Sequence, residues 1–216
     1  MVPLRRPASR TIALVSLDLL AERWRSPATW SALSVARYIE LPGLLVPSAA
    51  IAIRDAARAL GVVRLATDLV QADRHLLAAN ELTPWLDLLQ SDAFRELVTL
   101  ALGRAMPRGL VVNAWRMNRG DRMGVHPDGP LYRGTISLGL CDTWSEDDGG
   151  AIAFGDKDGD SFTPTQRWYP RLGDALLFAP TKDSWHCVEP VRGETTRYSL
   201  TGWWTELADG LTRGRD

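Results

Sequence analysis

Two of the three histidines in this 216-residue chain stand in short motifs that could share one metal ion. His126 and Asp128 lie two residues apart in Val125-His126-Pro127-Asp128, and His186 follows in Ser184-Trp185-His186-Cys187. Residues two apart in a β-strand project from the same face, at a backbone distance of roughly 6 to 7 Å. His126 and Asp128 can therefore reach one ion from the end of a strand. His186, much later in the chain, must approach from another strand.

The donor atoms of these three side chains limit which metal they suit. Two imidazole nitrogens and one carboxylate oxygen, with three octahedral positions left open, suit Fe(II) and oxygen chemistry. Calcium prefers more carboxylate ligands, and structural zinc prefers a closed tetrahedral set. The residues therefore favour Fe(II) and leave another divalent metal as the alternative.

A cation follows the second histidine at a useful distance along the chain. Arg197 and Ser199 lie two residues apart in a predicted strand, so they share a face. A guanidinium group can hold a carboxylate through two parallel hydrogen bonds, and a serine hydroxyl can add a third. Burying an arginine is unfavourable unless an acid pairs with it. We therefore expect Arg197 to anchor an acidic cosubstrate beside the metal.

The elements that must position these residues change character near Met106-Pro107. Before this point the sequence is predicted to be mainly helical, with one short strand at 38–41. Helix starts are predicted at Ser26-Pro27, Ser48, Thr83-Pro84 and Ser91-Asp92, and helix ends near Leu60 and Gly103. After it, short apolar runs alternate with turn signals and predict strands at 110–117, 134–140, 151–154, 174–178 and 198–204. The pattern predicts an α+β protein with one domain over residues 1–216. Residues 1–106 would form a helical support, and residues 107–206 a β-barrel that carries the site.

The overall composition excludes some partners. A net charge of −1 gives no electrostatic reason to expect a nucleic acid or an anionic membrane as partner. The cysteines Cys141 and Cys187 form no pattern of spaced pairs, which favours reduced thiols. Arg5-Arg6 and the apolar stretch 11–21 suggest a signal peptide, but Asp18 interrupts the stretch, and no stretch has transmembrane length. We therefore predict a cytoplasmic protein and make no prediction of its oligomeric state.

Further landmarks surround the candidate ligands in a recognisable order. They are Arg133 before the strand at 135–140, Trp144, Asp148-Gly149-Gly150, Pro170-Arg171-Leu172-Gly173-Asp174, Val188, Pro190, Val191, and the run 197–204. With His126-Pro127-Asp128 and His186, they make residues 111–204 resemble the Fe(II)/2-oxoglutarate-dependent oxygenases, specifically their prolyl-4-hydroxylase-like branch. Each piece alone is weakly specific, whereas the order and spacing together are strongly specific.

The resemblance implies a double-stranded β-helix core, the jelly-roll or cupin-like barrel, with supporting N-terminal helices. It implies that His126, Asp128 and His186 bind iron, and that Arg197 and Ser199 bind the distal carboxylate of 2-oxoglutarate. With O2, this cosubstrate would be converted to succinate and CO2 while an unactivated C–H bond is oxidised. Because Asp128 keeps its carboxylate, no position is vacated for a halide, and hydroxylation is favoured over halogenation.

The sequence departs from the family pattern at one position. Family members often carry a tyrosine about nine residues before the first histidine, where its hydroxyl helps bind 2-oxoglutarate, and Met117 stands at that spacing here. A thioether cannot donate a hydrogen bond. Thr135, Trp115 or Asn113 could provide the missing cosubstrate contact, and of these we predict Thr135, or the pocket differs.

The substrate contacts are less constrained by the sequence. Arg122, Trp144 and Trp203 are candidates, with a solvated hairpin rim as the alternative for Arg122 and a core position as the alternative for the tryptophans. We expect a small-molecule substrate, such as an amino acid or a natural-product intermediate, and keep a peptidyl, prolyl-type hydroxylase as the alternative. A non-catalytic module that senses 2-oxoglutarate or metal is a third reading. Repair of nucleic acid is disfavoured, because Trp203 stands where that branch has a second arginine.

Overall fold

The computed structural model describes residues 17–33 and 38–207. Arg5-Arg6 and most of the apolar stretch at 11–21 lie outside these residues. Within them, no helix is both long enough and apolar enough to cross a lipid bilayer.

In the described part of the first half of the chain there are four α-helices and two short 3-10 helices, the latter at Leu17–Leu19 and Glu22–Trp24. The α-helices are α1 (Pro27–Ser31), α2 (Pro47–Arg58), α3 (Thr83–Gln90) and α4 (Asp92–Leu102). Ser91 caps α4 by accepting a hydrogen bond from the backbone N–H of Phe94, and Gly103 ends it in a left-handed conformation, as predicted. Ser48, predicted to begin a helix, lies inside α2, which starts at Pro47, because proline needs no hydrogen-bond acceptor in the first turn.

The described residues also form eleven β-strands. They are β1 (Ile39–Leu41), β2 (Val63–Ala66), β3 (Val70–Leu76), β4 (Leu110–Met117), β5 (Arg122–His126), β6 (Tyr132–Gly139), β7 (Ile152–Asp158), β8 (Ser161–Trp168), β9 (Ala175–Phe178), β10 (His186–Val188) and β11 (Arg197–Thr205). They pair in the order β1-β9-β6-β11-β4-β3-β5-β10-β7-β8, with β2 attached to β3. All pairs are antiparallel, and the sheet curls into a nearly closed barrel, which confirms the predicted jelly roll.

Three strands were not predicted from the sequence. β2 and β3 form a hairpin in the half that was expected to be mainly helical, and β3 pairs with both β4 and β5. In the sequence of β3, Val-Gln-Ala-Asp-Arg-His-Leu, apolar and polar residues alternate only as far as Asp73, which begins a run of three polar residues. This short pattern is a weak strand signal, and the strand conformation depends on these neighbours. β8 lies at the edge of the sheet, where Pro164 removes no needed ladder hydrogen bond.

Two apolar cores lie on opposite faces of the sheet. The outer core packs the helices against outward-facing residues of β4, β6, β9 and β11, and the inner core fills the barrel around Phe154 and Phe178. Trp204 of β11 is fully buried in the outer core, where its ring lies 6.3 Å from that of Phe94 and its indole N–H donates to the carbonyl of Leu89. Its neighbour Trp203 faces the barrel interior, as the alternation of a strand requires.

An ion pair fixes the start of β5, the strand that carries His126. Arg64 of β2 donates two hydrogen bonds to the carboxylate of Asp121, at 2.7 and 2.5 Å. The backbone N–H of Asn118 donates to the same carboxylate at 2.9 Å. Because Asp121 is buried and lies between β4 and β5, this pairing holds the unpredicted hairpin against the strands of the site.

Trp203 and Trp204, which are adjacent on β11, allow a test of which sheet face packs against the outer core and which faces the cavity. We expect Trp204→Ala to lower the free energy of unfolding by about 3 to 5 kcal/mol, since it removes a fully buried ring from the outer core. Trp203→Ala removes a half-buried ring at the cavity and should have a smaller effect, about 1 kcal/mol. Urea unfolding followed by circular dichroism measures both changes. A loss for Trp203→Ala equal to that for Trp204→Ala would contradict this placement.

Candidate metal and cosubstrate site

The antiparallel pairing of β5 with β10 brings the two site histidines together. His126 and His186 are direct partners across this pair, and their ring centroids lie 4.4 Å apart. β5 ends at His126, so Asp128 lies in the turn that follows the strand, just beyond the end where the sequence placed it. One ligand atom from each of the three side chains lies within 4.8 Å of the others. The structure thus brings together all three predicted metal ligands.

Hydrogen bonds to the backbone set the tautomer of both imidazoles. Nδ1 of His126 lies 2.8 Å from the carbonyl oxygen of Gly124, and Nδ1 of His186 lies 2.8 Å from that of Ser184. A carbonyl oxygen only accepts, so Nδ1 carries the proton in each ring and the Nε2 lone pair is free. Burial, followed by the proximity of His126, lowers the pKa of His186. His186 is therefore neutral, as a metal ligand must be.

The carboxylate of Asp128 presents two oxygens in different environments. Oδ2 accepts a hydrogen bond from the Thr135 hydroxyl at 2.7 Å and another from the indole N–H of Trp203 at 3.1 Å. Oδ1 lies 4.0 Å from Nε2 of His186. The oxygen that faces the imidazoles is thus the one without these donors, and the site offers two nitrogens and one oxygen to an ion.

The guanidinium group of Arg197 is fully buried at the far side of the same cavity. Its Nε donates to the carbonyl of Gly150 at 2.8 Å, and Nη1 donates to the hydroxyl of Ser199 at 2.7 Å and contacts the Met117 sulfur at 3.8 Å. Nη2 is buried and has no hydrogen-bond partner among the described residues. Burial lowers the pKa of Arg197 to about 10, so the group stays charged at neutral pH. A buried cation with a free donor fits an anionic ligand.

One cavity connects the carboxylate, the imidazoles and the guanidinium group. It contains about 490 Å³ of empty space, including the part that is open to solvent. Its lining consists of Trp115, Met117, Met123, His126, Asp128, Thr135, Ser137, Ile152, Phe178, His186, Val188, Arg197, Ser199, Thr201 and Trp203. Arg197 is the one cation among these residues.

Most of the predicted site residues line this cavity, and two do not. Trp144 is buried behind the Gly149-Gly150 turn, where its indole N–H donates to the carbonyl of Gly149 at 2.8 Å. Arg122 is exposed on β5 and does not line the cavity. Trp144 and Arg122 were both predicted to contact a substrate, but the structure places them outside the cavity. Motif spacing could not give the side of a turn or strand on which a side chain would project.

Two other polar residues differ from their predicted surroundings. Thr135 lines the cavity, but a hydroxyl has one proton, and that of Thr135 is donated to Asp128. Asn113 is buried on β4 with its Oδ1 unpaired, and it is not part of the lining. Neither residue therefore presents a free donor where the absent tyrosine hydroxyl would be expected.

The sequence interpretation missed several lining residues. Thr201 could have been found, because it continues the two-residue alternation from Arg197 through Ser199 to Trp203 along β11. Ser137 is the direct partner of Thr201 on β6, and their hydroxyls lie 3.3 Å apart. The register between β6 and β11 is a tertiary feature, so no local signal identified Ser137.

Comparison with known families agrees with this geometry. Residues 112–205 match the model of the 2OG-Fe(II) oxygenase superfamily. This stretch is therefore similar to the oxygenases of that superfamily. The match includes every predicted metal ligand and both Arg197 and Ser199. Oxygenases of this superfamily use Fe(II), 2-oxoglutarate and O2. The site with two nitrogens and one oxygen fits Fe(II), and the unpaired guanidinium donor fits 2-oxoglutarate. No curated protein sequence gave a significant match.

Solved structures of similar fold include hydroxylases and an epimerase. A prolyl-4-hydroxylase from Pseudomonas putida superposes with a TM-score of 0.67 at 18% identity, covering 83% of this chain and 97% of that chain. A prolyl hydroxylase from Trichoplax adhaerens, in complex with a hypoxia inducible factor peptide fragment, gives 0.62 at 14% identity over 82% and 87%. The epimerase SnoN from nogalamycin biosynthesis gives 0.63 at 16% identity over 83% and 84%. At these identities the likeness concerns the fold alone.

The three clustered side chains predict metal-dependent stability. Saturating Mn²⁺, at about 100 times its dissociation constant, should stabilise the folded protein by about 2.7 kcal/mol, because it binds the folded state alone. His186→Ala should abolish this gain. His75→Ala is the matched control, since the ring of His75 bonds Glu81 and lies outside the cavity. Thermal unfolding with Mn²⁺ or with EDTA measures the effect, and an equal Mn²⁺ response in His186→Ala would contradict this site.

Proposed function

We propose that this chain is an Fe(II)/2-oxoglutarate-dependent dioxygenase that hydroxylates an unactivated C–H bond of a small molecule, such as an amino acid or a natural-product intermediate. 2-Oxoglutarate and O2 are converted to succinate and CO2 in this reaction. The observation that carries the proposal is the buried Arg197, whose unpartnered Nη2 lies in the same cavity as His126, Asp128 and His186.

The three clustered side chains hold the metal in this proposal. His126 and His186 contribute their Nε2 atoms, because both Nδ1 atoms are bonded to backbone carbonyls. Asp128 contributes Oδ1, because Oδ2 is bonded to two donors. Bound Fe(II) supplies the activation of O2 that the oxidation of a C–H bond requires.

Arg197 and Ser199 bind the distal carboxylate of 2-oxoglutarate. The Ser199 hydroxyl accepts a hydrogen bond from Nη1 of Arg197, which leaves its own proton free for a carboxylate oxygen. Nη2 provides the second donor and the charge. Met117 contributes an acceptor for Nη1 and not a donor to the cosubstrate. Two donors from β11 therefore orient 2-oxoglutarate, with its 2-oxo acid end toward the metal ligands.

The remaining walls of the cavity are mostly apolar. Trp115, Ile152 and Val188 exclude water around the reacting groups, which strengthens the electrostatic contacts inside and limits unproductive reactions. Trp203, half-buried at the cavity, is the sequence-predicted substrate residue that this placement supports.

The candidate metal ligands and Arg197 line one cavity in the barrel interior, which supports a small molecule as the first candidate substrate. The structural similarity to the epimerase SnoN from nogalamycin biosynthesis supports a natural-product substrate. The second candidate is a peptidyl, prolyl-type hydroxylase. The similarity to the prolyl hydroxylase that was solved with a peptide fragment favours it.

The proposed reaction can be tested by its products. Purified protein with Fe(II), ascorbate, 2-oxoglutarate and O2 should form succinate, and a suitable substrate should increase the rate and gain one oxygen atom. Amino acids, natural-product precursors and proline-containing peptides form the three arms of the screen, read by mass spectrometry. A product in the peptide arm alone would replace the first candidate with the second. Absence of iron-dependent succinate formation in all arms would exclude the enzyme and favour a sensing module.

Arg197→Lys should raise the KM for 2-oxoglutarate by about 10- to 100-fold. The change keeps the charge but removes the paired donors, and hydrogen bonds to charged groups contribute about 1.5 to 3 kcal/mol each. Arg122→Ala is the matched control, because Arg122 is exposed and outside the cavity. Succinate formation at varied 2-oxoglutarate measures both. An unchanged KM in Arg197→Lys, with circular dichroism showing a folded protein, would exclude Arg197 as the anchor.

A further inference from the structure

A row of aligned side chains crosses three strands behind the candidate metal ligands. Trp203 of β11 is the direct partner of Thr135 on β6, and Thr135 is the direct partner of Phe178 on β9. Directly opposite residues of an antiparallel pair project from the same face of the sheet. All three side chains therefore point into the barrel at one level, and all three line the cavity.

Two members of this row act on one oxygen atom. The hydroxyl of Thr135 and the indole N–H of Trp203 both donate to Oδ2 of Asp128, at 2.7 and 3.1 Å. A carboxylate oxygen has two lone pairs, so two such bonds occupy both on Oδ2. Asp128 is then left with Oδ1 as its free oxygen, on the side that faces His186.

The third member of the row orients a second ligand. Phe178 contacts the ring of His186 edge-on, with centroids 5.2 Å apart and the planes at 68°. Phe154, the direct partner of His186 on β7, stacks on the same ring at 5.2 Å and 24°. These two rings and the Nδ1 hydrogen bond leave His186 one orientation. The row thus fixes two of the three candidate ligands through the register of the sheet.

We infer that Thr135 and Trp203 are positioning residues of the metal site: together they hold Asp128 as a one-oxygen ligand and raise the affinity of the site for divalent metal. The inference rests on the proposed function, which makes Asp128 a ligand. Thr135 thereby has a role at the metal site, in place of the contact with 2-oxoglutarate that the sequence predicts for it. Neither residue touches the metal, and their effect passes through Asp128.

The dissociation constant of Mn²⁺ tests this role without turnover. Isothermal titration of the full chain should show a Kd raised about ten-fold by Thr135→Val, which keeps the shape but removes the hydroxyl, and about ten-fold by Trp203→Phe, with a larger loss in the double variant. Thr135→Ser keeps the hydroxyl and should restore the wild-type Kd. With Mn²⁺ saturating, the Kd of 2-oxoglutarate should stay unchanged in Thr135→Val.

The outcomes separate this inference from the proposed function. If the wild-type protein does not bind Mn²⁺, or if His186→Ala binds it equally well, the metal site is excluded and both proposals fail. Wild-type Mn²⁺ affinity in folded Thr135→Val and Trp203→Phe overturns the positioning role alone. The positioning role is also overturned if Thr135→Val binds 2-oxoglutarate more weakly but binds Mn²⁺ with unchanged affinity. That result would make Thr135 a cosubstrate contact. If Thr135→Val does not fold, the comparison of Trp203→Phe with wild type decides.

Discussion

The pairing of β5 with β10 is the interaction on which the site depends. It places His126 directly opposite His186, although the two are distant in the sequence, and a register shift follows immediately between His186 and Val188. The histidine pair therefore stands next to an irregularity in this short ladder. β5 ends at His126, so Asp128 is released from the ladder and can turn its carboxylate toward the imidazoles. A slip of one residue would turn one histidine to the opposite face and separate the ligands.

The buried charge of Arg197 is an unfavourable feature that the rest of the fold must offset. A guanidinium group with one unpaired donor destabilises the barrel interior, and the cavity beside it removes apolar contacts that a filled barrel would have. The outer core compensates, because α3, α4 and the aromatic rings of Trp30, Phe94 and Trp204 bury a continuous apolar layer against the other face of the same strands. Function is thus placed on one face of the sheet and stability on the other.

The sequence predicted those parts of the molecule that depend on local patterns. Two-residue spacing was enough to place Arg197 and Ser199 on one face, and the serine and glycine at the ends of α4 fixed that helix. It did not predict β3, whose conformation depends on pairing with strands on both sides. Nor did the sequence predict that Thr135 lies directly opposite Trp203, because that pairing is set by the register of β6 against β11. Local chemistry is visible in the sequence, whereas contacts between strands are not.

One strand connects both halves of the site. Along β11, Arg197 and Ser199 stand at the proposed cosubstrate end and Trp203 at the Asp128 end, all on the inner face. β11 is paired over nearly its whole length with β4 and β6, so the distance between these ends is held by two ladders. A loop could not hold it so firmly. The sheet therefore fixes the distance between the proposed cosubstrate anchor and the candidate metal ligand Asp128.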